Sequence, residues 1–102
     1  MAGEVKISKT WVNVFDVAEV NCNLFKDIGK HKQIDIVNQI KPSSKLHIDK
    51  DQLDLILRNL LSNAVKFSKP KQQIEITEKQ INNEYTLTVR DYGVGMSEET
   101  LQ

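Results

Sequence analysis

Two amides and an amine at helical spacing are the first residues in this 102-residue sequence whose chemistry asks for a reason. Asn59, Asn63 and Lys66 follow one another at intervals of four and three. At about 100° per residue they gather in one sector roughly 60° wide. An amide oxygen suits a hard cation, and a lysine offers charge to phosphate. Downstream stands Asp91-Tyr-Gly-Val-Gly-Met96. Its glycines permit positive φ and a close approach of ligand to backbone, and an aspartate at a strand's end can accept a hydrogen bond from an exocyclic amine. Each signal also has an ordinary reading. Asp-x-Gly-x-Gly describes a polar turn after a strand, and helical asparagines can be core amides satisfied by backbone. The combination, a helix, a hairpin and then Asp-x-Gly-x-Gly, is much more specific.

The elements that must position these groups are legible. Asp49–Ser68 reads as a helix with Asp49 and Gln52 as its capping signature. Leu53, Leu57, Leu60, Leu61 and Ala64 form its apolar stripe, and Asp51, Asp54, Arg58 and Ser62 a sector facing water. Asp54 and Arg58, four apart, are spaced to pair. Ser68-Lys-Pro70 ends the helix, because the residue before proline resists helical geometry. Gln73–Lys79 and Glu84–Arg90 alternate apolar and polar residues around a turn at Asn82-Asn83, which predicts a β-hairpin. Upstream, Trp11–Val14 reads as a short edge strand. Asp16-Val-Ala-Glu19 has capping-box spacing, and Val17, Val20, Leu24, Phe25 and Ile28 predict a helix with one face for a sheet, stopped at Gly29. Gln33–Gln39 and Lys45–Ile48 read as strands on either side of turn chemistry at Lys41-Pro-Ser-Ser44. Ser97-Glu-Glu99 looks like a helix start.

Composition narrows the class. Acidic and basic residues balance at 14 each, so no basic patch argues for nucleic acid. No apolar run reaches the length of a membrane span, and the N-terminus lacks a signal-peptide core, so no membrane contact by this segment is expected. Cys22 is alone, which suits a structural thiol and builds no metal site.

On these residues the chain resembles a known family. NLLSNAVKFS (Asn59–Ser68) resembles the N box of sensor histidine kinases, and DYGVGM (Asp91–Met96) their first glycine box. Both belong to the wider GHKL-type superfamily shared with gyrase B subunits, Hsp90-type chaperones and the mismatch-repair protein MutL. MAGEVKI is similar to the junction between a phosphotransfer helix and a catalytic domain. The resemblance implies an α/β two-layer sandwich, with one mixed sheet and helices Val17–Ile28 and Asp51–Phe67 on one face. It implies ATP and Mg²⁺ as ligands, with Asn63 on the metal and Asn59 reaching metal or phosphate through water. Lys66 would contact phosphate, Phe67 would lie beside the nucleotide, Asp91 would accept from the adenine amino group, and Gly93 and Gly95 would let the backbone pass close to base and lid. Tyr92 departs from the small or polar residue more usual there. The ATP-hydrolysing relatives carry a glutamate where Asn59 stands. An amide cannot take a proton from water, so Asn59 favours the kinase branch over the hydrolase branch.

The resemblance further implies a division into residues 1–10, a lead-in from a phosphotransfer-domain junction, and residues 11–102, the N-terminal part of the ATP-binding domain. The lid, a phenylalanine-containing box and a second glycine box are expected beyond Gln102, and the 102 residues alone are expected to be inactive. His31 and His47 are not placed like the family's phosphorylated histidine, so no catalytic residue is expected in this chain. The expected partners are the phosphoacceptor and dimerisation domain of a parent kinase and its response regulator, in the cytoplasm. A sheet cut short is also expected to invite self-association at its edge. Two rivals stand beside this reading: a non-catalytic scaffold retaining a vestigial nucleotide fold, and a gyrase-, chaperone- or MutL-type ATPase.

Overall fold

A computed structural model describes residues 8–91 and 95–101, with 95 and 96 described by backbone only. The chain opens with strand β1 (Lys9–Asn13), which pairs antiparallel with β3 (Lys45–Asp49) in a two-stranded ribbon. A separate four-stranded sheet has the order β2 (Asp35–Asn38), β4 (Gln73–Ile81), β5 (Glu84–Asp91), β6 (Gly95–Leu101). β2 and β4 run parallel, and the other two pairings are antiparallel. Parallel neighbours need a crossover, and helix α2 (Lys50–Phe67) lies in the connection that makes it. Helix α1 (Val14–Lys32) packs against α2 and β2, while α2 packs against β5 and β6. The two-layer α/β sandwich is therefore as expected, with one correction: the sheet is divided, and β1 and β3 form a ribbon of their own.

The core lies between helices and sheet. Ile74 and Ile76 of β4 and Tyr85, Leu87 and Val89 of β5 are buried, while Thr77, Thr86, Thr88 and Arg90 turn outward, as the alternation requires. From α2 the buried residues are Leu53, Leu57, Leu61 and Val65; Leu60 and Ala64 are only partly covered. The hairpin turns at Asn82, whose φ of 56° is a left-handed value that asparagine tolerates.

Helix α1 differs most from expectation. Its cap is Asn13, three residues before Asp16: the Asn13 Oδ1 accepts from the Asp16 N–H at 2.8 Å. Asn13 is also the last residue of β1, so the ribbon fixes where the helix begins. Gly29 does not end the helix, which continues to Lys32 and closes on Gln33 at φ 58°. Gly29 instead lets the next strand come close, since a Cβ there would lie 3.0 Å from the Ile34 carbonyl oxygen. The face turned to the core carries Val14, Val17, Ala18, Asn21 and Cys22, whereas Val20, Leu24 and Ile28 are exposed.

Ser97–Glu99 is a second correction. The segment is strand, with Ser97 opposite Val89 and Glu99 opposite Leu87. Ser and Glu carry a local helix-start signal, but the free edge of β5 offers backbone partners along its whole length, and that non-local pairing prevails.

Candidate functional site

The site is built on α2 and the end of β5. Asp49 caps α2 by accepting from the Asp51 and Gln52 N–H groups at 2.9 and 3.2 Å, and it also accepts from the Ser8 N–H at 2.8 Å. The Ser8 bond is the largest cause of a carboxyl held below the ordinary aspartate range, and the Gln52 and Asp51 bonds add to it against a smaller effect of burial. At its other end α2 has an extended C-cap at Ser68, and Lys32 of α1 supplies the missing donors: its Nζ lies 2.9 Å from the Val65 carbonyl oxygen and 3.1 Å from that of Lys66.

α1 meets α2 through a polar contact that the sequence does not announce. Asn21 is fully buried, and its Nδ2 donates to the Val17 carbonyl at 2.9 Å and to Asp54 Oδ1 at 2.8 Å. Asp54 is thus turned partly toward α1 rather than wholly to water, and its other oxygen takes Arg58 at 2.7 Å, as the spacing predicted. Asn63 follows Asp54 by nine residues, which at 100° each is about 180° around the helix. The sector of Asn59, Asn63 and Lys66 therefore lies on the flank of α2 turned away from α1.

All three are exposed. Among the described residues the side-chain amides of Asn59 and Asn63 hydrogen-bond no partner, which excludes the reading as core amides satisfied by backbone. Phe67, one residue past Lys66, is 59% exposed, and the Lys66 Nζ lies 5.4 Å from its ring centroid. Exposing an aromatic beside an ammonium forms a small apolar and cationic patch at the helix's end.

Asp91 continues the buried phase of β5 after Tyr85, Leu87 and Val89, so its carboxylate sits on the helix side of the sheet, 5% exposed. It faces Ile74 on one neighbour and Gly95 on the other. A buried carboxylate at a strand's end, on the same side as the polar flank of α2, can specify a ligand by accepting a hydrogen bond. Gly95 is placed beside Asp91 by strand pairing. Gly93 and Tyr92 lie outside the described residues.

The amide oxygens suit a hard cation. Among the described residues no three His, Cys, Asp or Glu converge, so an ion here would take one or two amide oxygens and complete its shell from ligand and water. Mg²⁺ binds in that way when phosphates accompany it. Cys22 takes no part: it is buried, and burial first, then the Glu19 charge, pushes its thiol up to about 11.

Two sequence-distant groups that hold the site, Asn21 and Lys32, escaped sequence reading. A buried asparagine on an apolar face was the available signal for the first; Lys32 gave none beyond its basic place in a last turn.

Comparison with known proteins bears on the family and the fold. Residues 48–102 match the family described as histidine kinase-, DNA gyrase B-, and HSP90-like ATPase. The autoinducer 2 sensor kinase/phosphatase LuxQ of Vibrio vulnificus (strain CMCP6) is 34% identical over 108 residues, an alignment covering 98% of this chain and 12% of LuxQ. The histidine kinase AdeS of Acinetobacter baumannii superposes with a TM-score of 0.78 over 91% of this chain and 46% of that one, at 16% identity. Histidine kinase ThkA, solved in complex with the response regulator protein TrrA, superposes with a TM-score of 0.72 over 83% of this chain and 26% of that one, at 19% identity. At such identities the structural likeness is one of fold. The chain spans about an eighth of the length of the LuxQ relatives it matches.

Proposed function

Because the chain belongs to the histidine kinase-, DNA gyrase B-, and HSP90-like ATPase family and corresponds to part of the ATP-binding domain of a sensor histidine kinase, we propose that its parent binds Mg-ATP on the outer flank of α2. The parent then passes the γ-phosphoryl group to a histidine on a neighbouring domain, for relay to an aspartate of a response regulator. The observation that carries this reading is the exposed row of Asn59, Asn63 and Lys66 on the same side of the sheet as the buried Asp91.

In this reading Asp91 accepts from the adenine amino group and selects the base. Phe67 offers its exposed ring to the nucleotide, and Lys66 meets phosphate. Asn63 would hold Mg²⁺ through its amide oxygen, with Asn59 one turn earlier reaching the ion or phosphate through water. Gly93 and Gly95 keep the backbone beside the base narrow. Held there, the ion would supply positive charge to offset that of the phosphates. Asn59 cannot act as a general base, and none is needed to activate water when the acceptor is an imidazole, already nucleophilic when neutral. Positioning and charge neutralisation carry the transfer. The junction from a phosphotransfer domain then ends ahead of β1 and not at residue 10, since Lys9 and Thr10 already pair with Asp49 and Ile48, and the rest is the first part of the ATP-binding domain, working in the cytoplasm. Among the described residues no helix is long and apolar enough to cross a membrane.

Calorimetric titration of the full-length parent with a non-hydrolysable ATP analogue and Mg²⁺ tests the assignment. Asn63→Ala is expected to weaken binding by about tenfold or more, in line with loss of a metal ligand. Equal affinity in wild type and variant refutes the role given to Asn63.

A further inference from the structure

The C-terminal end of α2 is held by one residue of another helix. Because α2 closes on an extended cap at Ser68, no left-handed turn returns an N–H to its last carbonyls. The Lys32 ammonium serves two of them, 2.9 Å from the Val65 oxygen and 3.1 Å from that of Lys66. These carbonyls belong to the peptide planes on either side of the Lys66 Cα. A peptide unit is planar, so holding both planes restricts φ and ψ at Lys66, and with them the direction in which its side chain leaves the helix.

Lys32 also holds the way out of the helix. Its own carbonyl oxygen accepts from the Lys71 N–H at 3.3 Å, where the chain turns at φ 69°. The Gln72 N–H donates to the Lys69 carbonyl at 3.3 Å, and the Gln72 carbonyl accepts from the Asp35 N–H at 3.4 Å, so the turn is joined to the start of β2. Pro70 within it has a fixed φ. Residues 66–71 are thus bracketed by one lysine, with its side chain at the entry and its backbone at the exit. Inside the bracket stand Lys66 and Phe67, both exposed, with the Lys66 Nζ 5.4 Å from the Phe67 ring centroid.

We propose that Lys32 is a positioning residue of the nucleotide site, acting through Lys66: by holding the last turn of α2 it aims the Lys66 amine at phosphate. The proposal rests on the reading of this flank of α2 as the Mg-ATP site. Lys32 does not itself meet the nucleotide, since its ammonium is bonded to the two carbonyls. A cation suits this place for a second reason. The carbonyl end of a helix carries negative potential, which opposes phosphate, and the Lys32 charge offsets it in the turn from which Lys66 reaches out. On a frayed turn the Lys66 ammonium would spread over many positions, and each contact with phosphate would cost more ordering. The coupling runs both ways, so nucleotide binding strengthens the hold of Lys32 by the factor that the hold lends to binding.

Calorimetric titration of the full-length parent with a non-hydrolysable ATP analogue and Mg²⁺, run well below the unfolding midpoint, tests the proposal. Lys32→Met is expected to weaken binding by about three- to tenfold with an unchanged circular-dichroism spectrum. In a Lys66→Met background the same substitution is expected to cost less than about twofold, because its route to phosphate is already gone. In the wild type, saturating analogue is expected to slow amide exchange at Lys71, which donates to the Lys32 carbonyl and is given no contact with nucleotide. If Asn63→Ala weakens binding and Lys32→Met leaves it at the wild-type value, the proposal is overturned and the site reading stands. A Lys32→Met penalty that is the same with and without the Lys66 ammonium overturns it too, as does unchanged exchange at Lys71. Wild-type affinity in both Lys32→Met and Asn63→Ala refutes the site reading and the proposal together.

Discussion

Replacing Lys32 by methionine is expected to loosen the end of α2 that carries the candidate phosphate and nucleotide contacts. The methionine keeps an apolar stem of similar length and removes two charge-assisted hydrogen bonds, at 2.9 Å to the Val65 carbonyl and 3.1 Å to the Lys66 carbonyl. Fully effective, each is worth about 1.5–3 kcal/mol. Two effects reduce that sum. The Lys66 bond is exposed and the Val65 bond only partly buried, so water replaces much of each, and an unpinned side chain regains up to about 2 kcal/mol of rotamer entropy. A net loss of about 1–2 kcal/mol remains. At about 4–8 °C per kcal/mol for a domain of this size, the midpoint of thermal unfolding falls by roughly 5–10 °C. Because α2 has an extended C-cap at Ser68 in place of a left-handed one, the loss is expected to be local first: the amides of Lys66 and Phe67 exchange faster than those of Leu57 and Leu61. A midpoint within about 1 °C of wild type, with unchanged exchange at Lys66, refutes the argument that α1 caps α2.

Two further predictions concern pH. The Tyr85 hydroxyl donates to Glu78 at 2.6 Å, and burial first, then this bond and the Glu78 charge, raises its ionisation well above the ordinary tyrosine range. A pKa raised on folding contributes stability that is full below the unfolded value of about 10 and fades as pH climbs toward the folded one. Phenolate absorbance titration is therefore expected to show Tyr85 ionising only as the chain unfolds in alkali, and Tyr85→Phe to remove that late component at a cost of about 1–2 kcal/mol at neutral pH. Asp49 works in the opposite direction. Its carboxyl is held low by the Ser8 bond and then by the helix-cap bonds, so the stability it contributes is full above the unfolded value of about 4 and is lost as pH falls through the folded one. Asp49→Asn keeps a capping oxygen but cannot titrate, and denaturant midpoints measured down the acid limb are expected to fall less steeply in the variant. An identical acid slope would remove Asp49 from the account.

The chemistry of this chain is more legible than its support, and the reason is physical. Asn59, Asn63 and Lys66 share a flank because a helix repeats every 3.6 residues, and Asp91 faces the helices because Tyr85, Leu87 and Val89 fix the phase of its strand; both follow from a few neighbouring residues. What holds these groups in place is not local. Asn21 finds Asp54 33 residues away, and Lys32 finds Val65 at the same separation, so neither can be read from periodicity. The misread elements fail for the same cause. Asp16 and Asn13 are both competent caps, and only the pairing of β1 with β3 decides between them. Ser97–Glu99 carries a helix signal within itself and becomes a strand because β5, chosen by residues far back in the chain, has an edge to fill. Val20, Leu24 and Ile28 show the limit most plainly. Hydrophobic spacing identifies an apolar arc, but how much of that arc is covered depends on the width of the surface it meets. On α1 the surface of β2 and α2 is narrower than the arc, and the remainder stays exposed.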